Sequence, residues 1–173
     1  MQEWERKRAR MKKLWPLALA ALLMFTSGCG GEREQEVDLE RSCLAGVSAL
    51  ETAGEWEEDY LTDLDGELLE GYYPGLGEVD MKQLVAKVPA MSSDVNELVF
   101  LQGETKKDAD AAADILQARI DGQVEGGAWY AESQAAWEQA VVLRQGNTYV
   151  ALIASADQQE QWELWFQGWF AQD

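Results

Sequence analysis

Apolar positions fall into stretches of helical spacing, and between these lie shorter runs that alternate or are apolar throughout. The first helical stretch begins after Asp38, which is placed to cap it, and ends at Gly54. Its apolar stripe recurs at i, i+4, i+8 and i+11 and consists of Leu39, Cys43, Val47 and Leu50. The pattern predicts an amphipathic helix with Cys43 on its buried side.

A short second helix is predicted over Gly66–Tyr72. Asp65 precedes it and is of a residue type that caps helices. We expect Leu68, Leu69 and Tyr72 to face inward, and Tyr73-Pro74-Gly75 to end the helix as a turn.

A long third helix is predicted over residues 105–124, where Thr105 and Asp108 have the spacing of a capping box. Gly126-Gly127 breaks it. Its buried stripe consists of Ala109, Ala112, Ala113, Leu116, Ile120 and Val124. Residues 129–137, which carry three aromatic side chains, are interpreted as a short helical or irregular link.

Strands are predicted at residues 84–89, 97–102, 140–143 and 149–154. Gly146-Asn147 between the last two is a hairpin signal, because glycine supplies the positive φ that a tight turn needs. Residues 149–153 are apolar at every position, so this strand is placed centrally.

The last stretch, residues 156–170, is predicted to be a helix with an aromatic stripe that consists of Trp162, Trp165, Phe166, Trp169 and Phe170. Packing against the sheet is the favoured interpretation, and contact with a ligand or a membrane is the alternative. Adjacent strands between helices favour an α+β fold. We therefore expect one domain, residues 39–173, with a small antiparallel sheet of about four strands packed by amphipathic helices.

The amino-terminal region has the pattern of a bacterial lipoprotein signal. Lys12 and Lys13 precede an apolar run, residues 14–25, that is shorter than the roughly 20 residues of a spanning helix. Small residues follow this run, and directly after them comes Cys29, which we predict to be the lipidation site. Residues 1–28 are then the signal peptide, with Met1 or Met11 as the start, and residues 29–38 are a tether. An ordinary secretory signal or a short membrane anchor is the alternative.

The predicted mature chain is strongly acidic. Removing six basic and two acidic residues from the totals of 14 and 32 leaves 8 and 30, a net charge of −22. Such a surface repels nucleic acid, so no nucleic acid partner is expected. The expected partners are the membrane, through the lipid on Cys29, and an envelope protein or a cationic ligand.

The chain contains no histidine, which excludes imidazole bases and the catalytic sets and zinc motifs that depend on them. With Cys29 acylated, Cys43 has no intramolecular partner, and we expect it to be a buried small side chain. Asp63-Leu64-Asp65-Gly66 does not fit a calcium loop, because Leu61 and Tyr72 would occupy ligand positions. No catalytic, cofactor-binding or metal-binding residue is assigned, and no cofactor is expected.

Several short motifs resemble one family of lipoproteins. They are Lys87-Val88-Pro89-Ala90-Met91-Ser92 with Val95-Asn96-Glu97, Arg119 and Gln123 on the long helix, Tyr130 with Gln134, and Gly146-Asn147 with Tyr149-Val150. This set is similar to the lipoproteins of Gram-positive bacteria that carry domain of unknown function 4358, over roughly residues 64–155. The resemblance implies an extracytoplasmic lipoprotein and carries over no activity and no site.

These observations predict a lipid-anchored protein at the outer face of the bacterial cytoplasmic membrane, acting as a non-catalytic binding or interaction module. A carboxylate-dependent envelope hydrolase is one alternative, since two carboxylates roughly 5–10 Å apart suffice for glycan hydrolysis. A cation-binding protein is the other, through acidic clusters such as Glu57-Glu58-Asp59 and Asp63 with Asp65.

Overall fold

The computed structural model describes residues 35–91 and 93–171. The predicted signal peptide, the predicted lipidation site Cys29 and most of the predicted tether lie outside the described residues. The described part contains five α-helices, α1 (Leu39–Ala53), α2 (Gly66–Tyr72), α3 (Lys106–Gly122), α4 (Ala131–Gln139) and α5 (Gln159–Gly168). It contains five strands, β1 (Leu61–Asp63), β2 (Met81–Pro89), β3 (Asn96–Gly103), β4 (Val141–Gln145) and β5 (Tyr149–Ser155).

The strands form one sheet in the order β1-β2-β3-β5-β4, and every neighbouring pair is antiparallel. The predicted α+β class is confirmed, and the sheet has one strand more than the four placed from the sequence. The additional strand, β1, pairs Leu61 with Pro89 at the end of β2. It is three residues long with Thr62 and Asp63 exposed, so it shows no run of alternating apolar residues.

Helices cover both faces of the sheet. Every residue of β3 and β5 is buried, which confirms the central position predicted for β5. Because successive strand residues point to opposite faces, Val99 and Leu101 pack with α3 and α4, whereas Leu98 and Phe100 pack with α1 and α5. Two apolar layers therefore lie on the two sides of the sheet.

Local signals set the ends of α1 and the hairpin. Asp38 accepts a hydrogen bond from the backbone N–H of Arg41 at 3.0 Å, and Gly54 ends the helix with a φ of 74°. Gly146, with a φ of 57°, lies in the turn that joins β4 to β5. Both predictions are confirmed.

The aromatic stripe of α5 packs against the sheet, as favoured. Trp162 and Phe166 are fully buried, and their rings lie 5.9 and 5.8 Å from that of Phe100. The helix begins at Gln159 and not at residue 156, because residues 156–158 form a turn in which the Ser155 hydroxyl accepts a hydrogen bond from the Gln158 N–H.

Two expectations about α2 are wrong, although its bounds are as predicted. Leu68 is 57% exposed, since only one side of this two-turn helix meets the core, through Leu69. Asp65 stands at the cap position but makes no capping hydrogen bond with its side chain.

The predicted capping box of α3 is present: Thr105 and Asp108 bond each other's backbone N–H. The α-helix ends at Gly122 and continues as a π-helical turn, Gln123–Gly127, in which Gly126 has a φ of 143°. The expected link at residues 129–137 is mostly the helix α4. Within residues 35–91 and 93–171, no helix combines the length and apolar character needed to cross a bilayer.

Candidate functional site

Cys43 lies on the inner side of α1 and is fully buried, as expected from its place in the apolar stripe. Burial raises the pKa of its thiol to about 12. A thiol that stays protonated at neutral pH is a poor nucleophile, so Cys43 packs in the core and does not form a reactive site.

The acidic stretches proposed as cation sites lie at the surface. Glu57, Glu58 and Asp59 are exposed, and Asp63 accepts a hydrogen bond from Lys87 at 2.5 Å. In the described part of the chain, no group of three or more acidic or cysteine side chains is arranged to hold a metal ion.

A cleft of about 340 Å³ opens at the end of the sheet where β2 ends and β3 begins. β2 contributes Val88 and Pro89, and β3 contributes Glu97. The helical side is formed by α3, the π-helical turn and α4. Its helical and linker residues are Tyr72, Arg119, Gln123, Gly127, Ala128, Trp129, Tyr130, Ser133 and Trp137. Motif residues that are scattered along the sequence, including Val88, Glu97 and Arg119, therefore meet at one place.

An ion pair between the buried Glu97 and the half-buried Arg119 forms the floor of the cleft. The Nε and Nη2 atoms of Arg119 donate to the two carboxylate oxygens of Glu97, each at 2.9 Å. The hydroxyl of Tyr73 donates to Glu97 at 2.5 Å. Three of the roughly four acceptor positions of this carboxylate are thus occupied.

Burial and the neighbouring charges shift the pKa values of Tyr73 and Arg119. Burial, together with the negative charge of Glu97, raises the pKa of Tyr73 well above its ordinary value, so its hydroxyl remains a donor. Burial acts to lower the pKa of Arg119, but the hydrogen bonds and charge of Glu97 outweigh it and raise that pKa. The guanidinium of Arg119 therefore stays charged and the hydroxyl of Tyr73 stays protonated at neutral pH.

Two aromatic rings hold the guanidinium of Arg119. Its central carbon lies 4.8 Å from the ring centre of Tyr72 and 5.3 Å from that of Trp137. Such cation–π contacts contribute about 0.5–2 kcal/mol each, with the larger value for desolvated pairs. The floor is therefore held by hydrogen bonds along its edge and by rings on its faces.

A second, wider pocket of about 730 Å³ adjoins the cleft, and both are lined by Asp94, Val95, Tyr130 and Ser133. In its wall, Asn96 donates to the hydroxyl of Tyr60 at 2.7 Å and accepts a hydrogen bond from the hydroxyl of Ser155. Burial raises the pKa of Tyr60, which donates to Asp94 at 3.3 Å. Side chains that are satisfied within the protein therefore line this pocket as well.

The rim carries large apolar side chains that face solvent. Trp129 is 92% exposed and Tyr130 is 68% exposed, and both line the cleft. Fully burying a ring of this size stabilises a protein by roughly 2–3 kcal/mol, a gain that the fold leaves unused here. Exposed aromatic groups at the mouth of a pocket are typical of binding surfaces.

The charges of the two pockets favour some ligands and disfavour others. Among the lining residues that the structure describes, Arg119 is the one basic residue, and Glu97 neutralises it. Asp94, Glu132 and Asp157 add three carboxylates. Anionic ligands would meet repulsion without a free cation to pair with, whereas uncharged and cationic ligands would not.

The hydrolase alternative receives no support from this geometry. Glu97 is the buried carboxylate of the cleft, but Arg119 and Tyr73 occupy its oxygens. A general acid in a glycosidase needs a carboxyl oxygen that can reach the substrate, and both oxygens of Glu97 are already bonded within the protein.

The resemblance includes Glu97, Arg119 and Gln123 but implies no site for them. From the sequence, Trp129 and Tyr130 are only aromatic residues of a link, and nothing relates Tyr73 to Glu97. One signal in the sequence is the position of these two aromatic residues shortly after Gly126-Gly127, because segments that connect helices run over the surface.

Comparison with known proteins gives one match. A family model described as Domain of unknown function (DUF4358) matches residues 55–155, which is more than half of the chain and includes the segment on which the resemblance rested. No curated protein and no solved structure matches the chain.

Proposed function

The chain belongs to the DUF4358 family, whose description gives no activity, and we propose that it is a lipid-anchored extracytoplasmic protein that binds a ligand in the cleft without transforming it. The anchor is the lipid on Cys29, and the protein stands at the outer face of the cytoplasmic membrane. The domain that follows the tether supplies the binding site.

Sequence features support the anchor. Lys12 and Lys13 precede an apolar run that is too short to span a bilayer, and a cysteine closes the small residues that follow it. A single acyl chain holds a protein only marginally, so stable attachment needs two or more chains on Cys29. The resemblance to lipoproteins points to the same location.

The cleft supports the binding role, and the observation that carries it is the contrast between floor and rim. The floor is closed: Arg119, Glu97 and Tyr73 satisfy one another. The rim is open: Trp129 and Tyr130 expose their rings. Binding would therefore order only the side chains of the rim, and their rings have apolar surface left to bury.

Membrane fractionation of wild type and Cys29→Ala tests the anchor. We expect the wild type to float with membranes and its amino-terminal residue to carry acyl groups by mass spectrometry, while the variant is not acylated and does not float. Equal distribution of both forms, or an unmodified amino terminus upstream of Cys29, would contradict the anchor.

Crosslinking in intact cells tests the binding role. A photoreactive amino acid at Glu132, on the wall of the wider pocket, should capture a specific partner or ligand, and the same probe at Glu40, exposed on α1, should not. Identical products from both positions, or turnover of a captured molecule, would refute a non-catalytic binding cleft.

A further inference from the structure

The mouth of the cleft carries a third large apolar side chain besides Trp129 and Tyr130. Met91 is 64% exposed, against 92% and 68% for the two rings. It lies in the loop between Pro89, which lines the cleft, and Ser93, which lines the wider pocket. We call Met91, Trp129 and Tyr130 together the apolar rim.

The loop of Met91 and the two rings lie on neighbouring elements. The N–H of Asp94 donates to the Met91 carbonyl at 3.1 Å, and the hydroxyl of Ser133 donates to the Ser93 carbonyl at 3.4 Å. Ser133 belongs to the first turn of α4, the helix that directly follows the two rings in the chain. The apolar rim is therefore one surface, formed by the β2–β3 loop and the segment that leads into α4.

This surface is large for one that contacts only water. An aromatic side chain has about 150–250 Å² of surface, so at these exposures the two rings leave roughly 200–400 Å² uncovered. The largest exposed apolar patch of a typical monomer is about 300–600 Å² and is often functional. With Met91 added, the apolar rim lies within that range, which indicates a docking surface.

Carboxylates lie beside the apolar rim. Asp94, Glu132 and Asp157 line the wider pocket, which adjoins the cleft. Within residues 35–91 and 93–171, none of these three carboxylates forms an ion pair. Arg119 is already paired with Glu97 and adds no free positive charge. The surroundings of the apolar rim are therefore negative.

These charges favour a cationic partner over an uncharged one. An uncharged partner that covered the apolar rim would take water from the neighbouring carboxylates without replacing it, which is unfavourable. A cationic partner pairs with the carboxylates and also gains cation–π contacts with the exposed ring faces. The charge complementarity is therefore with a basic partner.

The extent of the surface favours a peptide over a small cation. A small organic cation covers one ring, whereas the apolar rim has three side chains on two elements. A peptide segment carries apolar and basic side chains next to each other, so it covers the apolar rim and meets the carboxylates at once. Such an arrangement, an apolar centre with a charged edge, is typical of protein interfaces.

We propose that the apolar rim docks a basic segment of a partner protein. Apolar side chains of the segment cover the rim, and its lysine or arginine side chains pair with Asp94, Glu132 and Asp157. The proposal rests on the binding role proposed above and names the chemistry of what is bound. It does not depend on the lipid anchor.

Fluorescence anisotropy with synthetic peptides tests the chemistry of the partner. The probe is a labelled peptide with two leucines at its centre and two lysines on each side, added to the full-length protein. We expect saturable binding that is weakened roughly tenfold or more when glutamine replaces the lysines, and also when serine replaces the leucines. Binding should also weaken as salt is raised, because salt screens the charge pairs.

Two variants test the location. Trp129→Ala removes the most exposed ring, and Glu132→Gln with Asp157→Asn removes two charges beside it. Each should weaken binding of the lysine–leucine peptide roughly tenfold or more. The control for the charges is Glu40→Gln with Glu104→Gln, which removes the same charge from two exposed positions, on α1 and after β3. Its affinity should stay within about twofold of the wild type.

Leu44→Ala is the control for Trp129→Ala. Leu44 is exposed on α1, a helix that packs on the opposite face of the sheet from α3 and α4. Its affinity should equal that of the wild type. The substituted side chains are exposed, so all variants should fold like the wild type, and circular dichroism checks this.

Equal binding of the glutamine peptide would overturn the charge pairing, and equal binding of the serine peptide would overturn the apolar docking. Equal weakening by the two pairs of charge substitutions would mean attraction by the net charge of the chain, which overturns the site. Saturable binding of an uncharged tetrasaccharide of N-acetylglucosamine, without binding of the lysine–leucine peptide, would assign the surface to a sugar and also overturn the proposal.

Failure of this proposal is distinguishable from failure of the binding role. A specific molecule captured at Glu132 in intact cells, without binding of the peptide, would overturn the basic segment and keep the binding role. No specific capture at Glu132 combined with no binding of the peptide would overturn both.

Discussion

The ion pair at the floor of the cleft gives the sharpest test of the structure, through Arg119→Met. The substitution leaves the Glu97 carboxylate nearly fully buried, with Tyr73 as its remaining hydrogen-bond donor. Breaking a buried pair by removing one partner costs about 3–5 kcal/mol. The lost contacts with Tyr72 and Trp137 add about 1 kcal/mol.

This loss is large against the total stability of a domain, about 5–15 kcal/mol. Urea unfolding monitored by tryptophan fluorescence measures it, because the midpoint shifts in proportion to the free energy of unfolding when the slope is unchanged. Adding the two contributions, we expect Arg119→Met to lower the free energy of unfolding by about 4–6 kcal/mol.

The double variant Glu97→Gln with Arg119→Met separates the burial of a charge from the loss of packing. Glutamine keeps an acceptor for the Tyr73 hydroxyl and carries no charge, so the double variant should recover more than half of the lost stability. In a double-mutant cycle, we therefore expect the effects of the two substitutions on the free energy of unfolding to be strongly non-additive. A cost below about 1 kcal/mol for Arg119→Met, or no recovery in the double variant, would refute a buried, mutually dependent pair.

Three further predictions concern other parts of the fold. Gly46→Ala should cost about 1–3 kcal/mol, because its Cβ would lie 2.7 Å from a buried tryptophan ring, whereas Gly122→Ala, with open space around it, should be neutral or stabilising in the same urea assay. Thr105→Ala should lower the free energy of unfolding by about 1 kcal/mol, because it removes the cap of α3. Asp65→Ala removes no capping bond and should lower it by about 0.5 kcal/mol or less; equal losses would contradict the difference between the two caps. Because burial raises the pKa of the Cys43 thiol from 9.0 to about 12, Cys43 contributes stability that is complete below pH about 9 and is lost as the pH rises towards 12. Urea unfolding at several pH values should therefore show a smaller loss of stability at alkaline pH for Cys43→Ala than for the wild type.

The parts of the fold that the sequence predicts depend on neighbours within a few residues. Asp38 caps α1 through a backbone group three positions away, and Thr105 and Asp108 form their box over the same distance. Gly146 is needed for its own positive φ. Such features are visible in any window of the sequence, which is why the starts of α1 and α3 and the hairpin turn are placed correctly.

The remaining features depend on contacts between distant residues. β1 exists because Leu61 meets Pro89, and three residues alone carry too little alternation to indicate a strand. Leu68 was expected to face inward but is exposed, because helical spacing does not determine how many positions of a short helix are buried. Glu97 lies 24 residues from Tyr73 and 22 from Arg119, so their meeting is set by the antiparallel order of the sheet and the position of α3.

The closed floor also constrains how the cleft can recognise anything. A ligand that bonded to Arg119 would have to displace Glu97, and a buried carboxylate without its partner is costly. A ligand that bonded to Glu97 would compete with two N–H donors and one hydroxyl. A ligand is therefore recognised by the rim, where the exposed rings of Trp129 and Tyr130 can contact it without breaking the ion pair. A substitution in the floor, such as Arg119→Met, should therefore lower the affinity for a ligand only because it destabilises the fold. Trp129→Ala should lower the affinity in a protein that is as stable as the wild type.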